Sequence, residues 1–442
     1  MSKFDLPYNQ PASQDNKMLF KNARIIDAAS NYDKVGDLLV IGDKIADFGV
    51  EIKAEGAKIV DCKNKILTAG LIDIQVHFRD PGQTHKEDLA SGSKSAVAGG
   101  ITTVVCQPNT LPTIDSVDVL DYIRLKARET AYCNILAYGC ISKKMKGEEL
   151  ADLHSLKNAG AVGFTDDGLP VMNANLMRRA FEYSRELDVI LAQHAEDLNL
   201  SNKGCINEGR VSLELGVRGI PNISESVIVE RDLAILEAIG GRYHLLHAST
   251  KEAVEAIRHA KAKGLRATAE ACPHHFWLTD EQVLKSGTNA KMNPPLRAES
   301  DRLAIIEGLR DGTIDAISTD HAPHDLTSKN KPLSEASFGI VGVETMLPLS
   351  LKLYHDGILS LKDVIAKMTC NAARIINFDG GVLKKGARAD LTLIDLDHEW
   401  IIDTQKFHSK SKNSPFDGFR VKGRAMITVV GGKVVFCESS FM

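Results

Sequence analysis

The sequence predicts an α/β protein in which a (β/α)₈ barrel is joined to a small β domain built from both chain ends. The middle of the chain alternates between apolar, strand-like runs and amphipathic helical stretches, which is typical of a parallel sheet. Both ends instead carry short strand-like runs separated by turn residues. Because the middle repeats this alternation eight times, a closed barrel is favoured over an open, doubly wound sheet.

The candidate strands of the middle region are short, apolar and regularly spaced. They are Leu71–His77, Thr102–Gln107, Asn134–Cys140, Ala161–Thr165, Val189–His194, Tyr243–His247, Arg266–Glu270 and Ala316–Thr319. The clearest helical stretches between them are Lys86–Ala98, Val117–Glu129, Leu176–Leu187, Val227–Ile239, Lys251–Lys263 and Asp301–Arg310. No Gly-x-Gly-x-x-Gly motif follows a strand, which weakens a dinucleotide-binding interpretation. The polar connection Asn199–Ile223 is long enough to have a function of its own.

The two ends of the chain have the same strand-and-turn character. Asn22–Asp27 and Gly36–Ile45 are strand-like near the N-terminus. Ala389–Leu396 alternates near the C-terminus, and Ile427–Phe436 is typical of a hairpin that turns at Gly431-Gly432. We therefore expect both ends to form one small β domain.

Composition and charge exclude several classes of function. The chain has 442 residues, a net charge of −4 and 43% hydrophobic residues, so it has no basic surface suited to nucleic acid. No apolar run approaches the length of a membrane span, and Met1–Lys17 lacks the apolar segment of a signal peptide. Eight scattered cysteines without a Cys-x-x-Cys pair indicate reduced thiols. These features predict a cytoplasmic protein that binds neither nucleic acid nor membrane.

Polar and ionisable residues gather where the candidate strands end. They include His77, Arg79, Asn109, Asp166, Asp167, His194, His247, Asp320 and His324. Each alone has an ordinary structural explanation, but chance does not readily place His or Asp at the same end of five strands around one barrel. Barrel enzymes collect their ligands at this end of the strands. Imidazole and carboxylate groups without thiolates suit zinc or a similar divalent ion, and a shared carboxylate could hold two ions.

Gln75 is the discordant residue in this pattern. Alternation along a strand sends Gln75 and His77 to the same side, where a pair of His ligands would be expected. His244 lies on the same side of its strand as Leu246 and is expected to face the helices or to support the ligands from behind. His85 stands at the start of a predicted helix and is a candidate to cap it.

The chain resembles dihydroorotases of the amidohydrolase superfamily, specifically the larger bacterial type. The segments that carry the resemblance follow the family's order and are Val76–Asp88, Gln107–Thr110, Gly163–Gly168, His247–Thr250, Cys272–His275, Met292–Arg297 and Ser318–His324. The resemblance covers nearly the whole chain from Leu19 onward. It implies a distorted (β/α)₈ barrel at residues 68–377 and a small β-sandwich at residues 1–67 and 378–442.

The resemblance also implies the residues of the site. The implied metal ligands, for one or two Zn²⁺ ions, are His77, Asp167 as the bridge, His194, His247 and Asp320. Asp166 is the alternative bridge. Related cyclic amidases often use a carboxylated lysine there, and the absence of a lysine from this segment counts against a hydantoinase or allantoinase. Implied contacts to the substrate carboxylate are Arg79, Asn109 and His324, and implied contacts to its ring are Asn293, Phe338 and Gly339.

The implied reaction is the reversible cyclisation of N-carbamoyl-L-aspartate to L-dihydroorotate in pyrimidine biosynthesis. In the hydrolytic direction a metal-activated hydroxide attacks the ring amide, and Asp320 transfers the proton as general acid and base. The family usually has His at the position of Gln75, which leaves three interpretations open. Gln75 coordinates through oxygen, one metal suffices, or the chain is a weakened barrel that works with a partner.

The possible partners implied by the resemblance are a second copy of the chain, in a homodimer, and aspartate transcarbamoylase, in a complex. An inactive or weakly active partner of that enzyme is the alternative from a different class of function, and another cyclic-amide hydrolase is the third. The retained ligands and the Arg79, Asn109 and His324 set favour an active enzyme.

Overall fold

The middle of the chain forms a closed barrel of parallel strands in a computed structural model, which describes residues 12–13, 15–63 and 65–441. Most of the polar lead-in predicted at residues 1–17 lies outside the described residues. Within them, the barrel strands are Leu71–Val76, Ile101–Cys106, Asn134–Ala137, Gly163–Phe164, Ile190–Gln193, Tyr243–Leu245, Ala267–Ala271 and Ala316–Ile317. Each matches a predicted strand, so the predicted α/β barrel is confirmed.

Two short bridges join the ladders into a ring. The first three strands pair in parallel as one sheet, and the last five pair as another. A parallel bridge between Gly139 and Phe164 joins the third strand to the fourth, and one between Val76 and His321 joins the eighth to the first. The His77 backbone N–H donates to the His321 carbonyl over 2.8 Å at this last seam. Strand ends from distant parts of the sequence are thereby brought to one rim.

Seven of the eight observed strands stop short of their predicted carboxyl ends, and the seventh, Ala267–Ala271, extends one residue beyond its own. His77, His194 and His247 were all predicted inside strands and lie just beyond them. These three histidines therefore lie where the strands pass into the loops that follow them.

Helices surround the barrel, and most of the connections between consecutive strands contain at least one of them. The longer ones are Leu89–Ala98, Val117–Thr130, Leu153–Ala159, Ala174–Leu187, Ile223–Ile239, Lys251–Ala262, Glu299–Asp311 and Met346–His355. Shorter helices are Leu198–Ser201, Arg210–Glu214, Pro273–Trp277, Gln282–Ser286, Leu326–Lys329, Leu361–Lys367 and Cys370–Ile375. Single 3₁₀ turns cover Lys143–Met145, Gly287–Ala290, Thr404–Lys406 and Ser439–Phe441.

The first barrel helix begins three residues later than predicted, and His85 does not cap it. Asp88 is its N-cap: the Asp88 carboxylate accepts the Ser91 backbone N–H over 2.8 Å. Asp is among the preferred N-cap residues because its oxygen satisfies a backbone donor that has no partner inside the helix. The prediction for His85 was therefore wrong, because a better capping residue lies three positions further on.

Both chain ends build one eight-stranded sheet. Its strands are Lys17–Asp27, Tyr32–Ile41, Lys44–Gly49, Lys58–Asp61, Ile66–Ala69, Leu391–Ile401, Arg420–Val430 and Lys433–Cys437. Ile66–Ala69 runs antiparallel to Leu391–Ile401 and joins the N-terminal half of the sheet to the C-terminal half. The hairpin predicted at Gly431-Gly432 is confirmed, and both glycines have the positive φ that such a turn requires. The predicted boundaries at residues 67/68 and 377/378 stay a prediction.

Apolar residues line the inside of the barrel below its polar rim. The enclosed set contains Ile72, Ile74, Val105, Leu136, Tyr138, Ile190, Ala192, Leu246 and Ala316. A larger apolar cluster packs between the strands and the surrounding helices, and a third fills the sheet of the chain ends. The barrel is therefore packed, and only its rim offers room for polar chemistry.

The long polar connection at residues 199–223 contains regular structure of its own. It contains the helix Arg210–Glu214, and a small parallel ladder pairs Ile206–Asn207 with Gly219–Ile220. Arg297 fixes this ladder from below, because its guanidinium donates to the Ile220 carbonyl over 2.7 Å. No helix in the described parts of the chain is both long and apolar enough to cross a membrane.

A buried carboxylate, Glu225, joins this connection to the barrel rim. It accepts the backbone N–H groups of Ser249 and Thr250 over 3.0 and 3.2 Å, and it lies 3.7 Å from the Arg297 guanidinium. The loop after the sixth strand, which carries His247, is held by these contacts.

Replacing Glu225 by Ala should destabilise the fold, since it leaves a buried guanidinium and two backbone donors without their acceptor. Loss of one partner of a buried ion pair typically costs about 3–5 kcal/mol. Urea denaturation followed by circular dichroism measures the change. Glu214→Ala is the matched control: Glu214 is exposed and paired with Arg210 at the surface, so its loss should cost less than about 1 kcal/mol. Equal effects of the two substitutions would contradict a bracing role for Glu225.

Candidate active site

Two groups of potential metal ligands meet at the carboxyl ends of the barrel strands. One contains His77, Asp167 and Asp320, and the other contains Asp167, His194 and His247. All five side chains are buried. They come from five different strand ends, so only the closed barrel brings them together.

Asp167 is shared by the two groups through different oxygens. Its Oδ2 lies 3.2 Å from His77 Nε2, whereas its Oδ1 lies 3.2 Å from His247 Nε2 and 3.5 Å from His194 Nδ1. The three imidazoles lower the pKa of this carboxyl well below its usual range, although its burial acts in the opposite direction. A carboxylate that faces ligands on both sides is suited to bridging two cations.

The neighbouring Asp166 points elsewhere. Its Oδ1 accepts the backbone N–H groups of Ile141 and Ser142 over 2.8 and 3.1 Å, and its other oxygen accepts the Ser142 hydroxyl. Both oxygens of Asp166 are thus occupied in fixing the loop after the third strand. Of the two adjacent carboxylates, Asp167 is the one that lies among the histidines.

Three of the site residues have a left-handed backbone conformation, which sets the direction of their side chains. Arg79, His247 and Asp320 have φ values of 58°, 34° and 49°, which are unfavourable for residues with a side chain. Such strain is of the order of 1–3 kcal/mol per residue and collects at functional sites. Leu246 packs inside the barrel, and the turn at His247 allows the next side chain to reach Asp167 as well. Simple alternation along the strand would have sent these two side chains to opposite faces.

Nearby carboxylates raise the pKa of two histidines of the site, His77 and His194. Burial lowers the pKa of His77, but its contacts with Asp167 and Asp320 outweigh this effect and raise the pKa to about 9. Burial also opposes ionisation of His194, whose pKa is raised to about 10 by Asp167 and Glu196. A divalent cation satisfies the same carboxylates in place of those protons, so the donor set of imidazoles and carboxylates fits such an ion.

Asn109 orients His77 from the outer side. Its side-chain oxygen lies 2.8 Å from His77 Nδ1, while His77 Nε2 lies 2.9 Å from Asp320. An acceptor at Nδ1 places the hydrogen of the neutral ring there and leaves Nε2 free to bind a cation. Gly168 makes room for this amide: a Cβ at Gly168 would lie 3.0 Å from Asn109 Nδ2.

Arg79 is a buried cation beside this centre with few partners. Only 9% of it is exposed, and its guanidinium makes two long contacts, each of 3.4 Å, to the Pro323 carbonyl and to His324 Nε2. Burial lowers the pKa of Arg79 to about 10, which leaves it charged at neutral pH. Burial and the charges of Arg79 and Lys86 lower the pKa of His324 to about 2, so this imidazole is neutral. An anion could therefore bind to the charged guanidinium of Arg79 and to the neutral imidazole of His324.

Of the residues predicted to contact the ring, Asn293 lies beside the histidine cluster and Gly339 lies beside His324. Asn293 donates to Glu196 over 2.9 Å and lies 3.3 Å from His194 Nε2. Gly339 packs directly on His324, because a Cβ at Gly339 would lie 2.7 Å from His324 Cδ2. Lys291 Nζ lies over the Phe338 ring, 4.3 Å from the ring centroid.

Gln75 faces the same centre. It is fully buried, its Nε2 donates to Asp167 Oδ2 over 3.4 Å, and its Oε1 has no hydrogen-bond partner among the described residues. An unsatisfied buried carbonyl oxygen is costly, so a cation or a water is the natural partner for it. Gln75 and His77 both reach Asp167, as the alternation of the strand predicted.

Two features of the site were not predicted from the sequence, and the structure also decides the position of His244, which was expected either to face the helices or to support the ligands from behind. Glu196 lies 3.2 Å from His194 Nε2 and holds that ring from behind. His244 lies 3.3 Å from the buried carboxylate of Glu270, which also accepts the Ser318 hydroxyl over 2.6 Å, so His244 belongs to a polar layer inside the barrel. A third buried cluster consists of Cys272, His274 and His275. The position of Glu196, two residues after His194 in the polar run that follows the fifth strand, was a signal for its role.

Comparison with known proteins supports the family suggested by the sequence motifs. Residues 64–253 match the model of a family described as dihydro-orotase-like. A dihydroorotase of Ehrlichia chaffeensis is 55% identical over 428 residues, covering 96% of this chain and 95% of that protein. One of Geobacter sp. is 48% identical over 420 residues, covering 95% of this chain and 99% of that protein.

This chain belongs to the dihydroorotase family. Identity at this level over nearly the full length confirms the family prediction, and it does not favour the inactive-partner or hydantoinase alternatives. Among solved structures, the L-hydantoinase of Arthrobacter aurescens superposes with a TM-score of 0.86 at 25% identity, covering 94% of this chain and 95% of that one. A dihydropyrimidinase of Brevibacillus agri superposes with a TM-score of 0.83 at 19% identity, covering 95% of this chain and 94% of that one, and shows the shared fold alone.

Replacing Gln75 by His should increase the affinity of this protein for a divalent cation. The imidazole would add a nitrogen donor to the group of His77, Asp167 and Asp320, where the amide offers a weaker oxygen. We expect the dissociation constant for Zn²⁺, measured by competition with a chelator, to fall roughly tenfold or more. Gln405→His, at an exposed position, is the control and should leave it unchanged. An unchanged Zn²⁺ affinity in Gln75→His would show that the side chain at position 75 does not coordinate the metal.

Proposed function

We propose that this protein is a dihydroorotase that interconverts N-carbamoyl-L-aspartate and L-dihydroorotate in the cytoplasm, as a step of pyrimidine biosynthesis. The single observation that carries the proposal is Arg79, a buried guanidinium without a carboxylate partner among the described residues, beside a carboxylate-bridged cluster of histidines. Both proposed substrates keep a carboxylate outside the reacting bond. A hydantoin has no such group and would leave Arg79 buried and unpaired.

Arg79, Asn109 and His324 would bind that carboxylate. The guanidinium can make paired, charge-assisted hydrogen bonds to two carboxylate oxygens. His324 stays neutral and has a buried Nδ1 without a hydrogen-bond partner. It can therefore orient the substrate carboxylate through a hydrogen bond without adding charge. Asn109 also touches His77, and it therefore fixes the distance between the carboxylate and the reacting carbonyl group. Asn293, Phe338 and Gly339 would line the ring.

His77, Asp167, His194, His247 and Asp320 would hold the metal, for which we propose one or two Zn²⁺ ions. When bound, the metal supplies a Lewis acid that polarises the carbonyl group and makes water acidic near neutral pH. Gln75 replaces the nitrogen donor expected in one of the two groups. Its free Oε1 supports coordination through oxygen there.

Asp320 would move the proton. It lies 2.9 Å from His77 Nε2 and its backbone is strained, so its carboxylate is fixed at the rim where the substrate arrives. In hydrolysis Asp320 takes a proton from the attacking water and gives it to the ring nitrogen that leaves. In cyclisation it takes a proton from the ureido nitrogen that attacks the side-chain carboxyl carbon. One oxygen of that carboxylate leaves as water, with this proton and a second one from solvent. A homodimer and a complex with aspartate transcarbamoylase stay predictions.

Assays of the purified protein with carbamoyl aspartate and with dihydroorotate test this function. We expect turnover in both directions with Zn²⁺, and none of hydantoin or allantoin. Arg79→Met should raise the KM for dihydroorotate at least about tenfold, since a hydrogen bond to a charged group contributes about 1.5–3 kcal/mol. Turnover of hydantoin but not of dihydroorotate would overturn the proposed substrate. Activity that appears only after aspartate transcarbamoylase is added would support the partner-dependent alternative.

Replacing Asp320 by Asn should abolish turnover and preserve substrate binding. The amide keeps the size of the side chain but cannot accept and return a proton. Binding is measured by calorimetry with dihydroorotate, and turnover by absorbance. Asp311→Asn, on the surface beside Arg258, is the control and should behave as wild type. Near-normal turnover by Asp320→Asn would exclude its role in proton transfer.

A further inference from the structure

Two lysines next to the proposed substrate pocket are buried without a carboxylate. Lys291 is 1% exposed and Lys329 is 3% exposed. Lysine is rarely buried to this extent unless it is paired with an acid. Within the described part of the chain, neither ammonium group makes an ion pair, so their presence requires another explanation.

Backbone carbonyl oxygens surround both ammonium groups. Lys291 Nζ donates to the carbonyls of Leu333 and Ala336 over 2.7 and 2.6 Å. Lys329 Nζ donates to those of Ser337 and Gly339 over 2.9 and 3.0 Å. These bonds satisfy the donors but leave the positive charges uncompensated, because a carbonyl group carries no net charge.

The segment held by these lysines ends at the pocket. The Gly339 backbone N–H donates to the Lys291 carbonyl over 2.9 Å, and the Gly339 carbonyl accepts from Lys329. Gly339 has a φ of 152° and lies so close to His324 that no side chain fits between them. Any shift of this turn would therefore move His324, which contacts Arg79.

Positive charge also accumulates around His324. The charges of Arg79, Lys86 and Lys329 all lower the pKa of this imidazole, after burial itself. Burial and the charge of Lys291 lower the pKa of Lys329 to about 7, which shows the cost of keeping two buried ammonium groups near each other. An anion bound at Arg79 and His324 would offset this cost in the pocket.

We propose that Lys291 and Lys329 are positioning residues for the substrate carboxylate. They hold the turn at Phe338-Gly339 against His324. Lys291 and the protonated form of Lys329, which a bound anion favours, supply positive charge next to the pocket. This inference rests on the proposed function, and it assigns the two lysines a role in binding the anionic substrate in addition to bracing the turn.

The bracing and electrostatic roles can be separated by two substitutions at Lys329. Lys329→Met removes both the donors and the charge, whereas Lys329→Gln removes the charge but keeps a hydrogen-bond donor on a shorter side chain. Lys331→Met is the matched control, because Lys331 is an exposed lysine two residues further along the same segment. Metal content and thermal unfolding of each variant show whether the fold and the metal centre are intact.

The measurements are the dissociation constant of orotate by calorimetry and the KM and kcat for dihydroorotate. We expect both Lys329 variants to bind orotate tenfold or more weakly and to show a similar rise in KM. Their kcat and metal content should stay within threefold of wild type, and Lys331→Met should match wild type. Orotate binding by Lys329→Gln that equals wild type would overturn the electrostatic role. A parallel loss of kcat, metal content and thermal stability in both variants would show that the lysines only stabilise the fold, and it would overturn their role in binding the substrate.

Failure of the proposed function is recognised separately. Wild-type protein that neither converts dihydroorotate nor binds orotate would reject the proposed function itself, and the role of the lysines with it. Wild-type protein that binds orotate while the variants bind it equally well would reject only the role of the lysines.

Discussion

A single buried carboxylate, Asp167, lies among three imidazoles from three other strand ends, and the surrounding structure is arranged around it. Each of its oxygens faces a different part of the histidine cluster. Isolated, such a group would be strongly disfavoured in a protein interior, so it requires cations or donors on both sides. The closed ring of strands, the strained turns at His247 and Asp320 and the hydrogen bonds of Asp166 all contribute to keeping this carboxylate in place.

Asp167 is a buried negative charge that needs cations, and the pocket next to it has the opposite imbalance, an excess of positive charge. Around Arg79 and His324 the protein places a guanidinium and buried ammonium groups without acids to match them. The histidine cluster thus has carboxylates that need a cation, and the adjacent pocket has cations that need an anion. A substrate that carries a carboxylate and a polarisable carbonyl group fits across both, which explains why the two regions adjoin.

Much of this architecture could be predicted from the sequence, because the signals are local. The eight strands follow from apolar runs, and the site follows from polar residues that end those runs. Gln75 and His77 share a side of their strand, as alternation requires. Alternation failed at His247, where a left-handed residue changes the direction of the side chain. The start of the first barrel helix was misplaced because Asp88 caps it more effectively than residues before it. The lysines could not be found, since their partners are carbonyl groups that carry no sequence signature.

The position of Ile66–Ala69 has a consequence for how the chain is made. This strand pairs with Leu391–Ile401, and the barrel seam next to it joins Val76 to His321. Both partners are synthesised hundreds of residues later, so a nascent chain emerging from the ribosome carries two unpaired apolar strand edges for most of its translation. Contacts of such long sequence separation slow folding, and open edges invite association with other chains. Neither the terminal sheet nor the barrel can therefore close until those late segments have been synthesised.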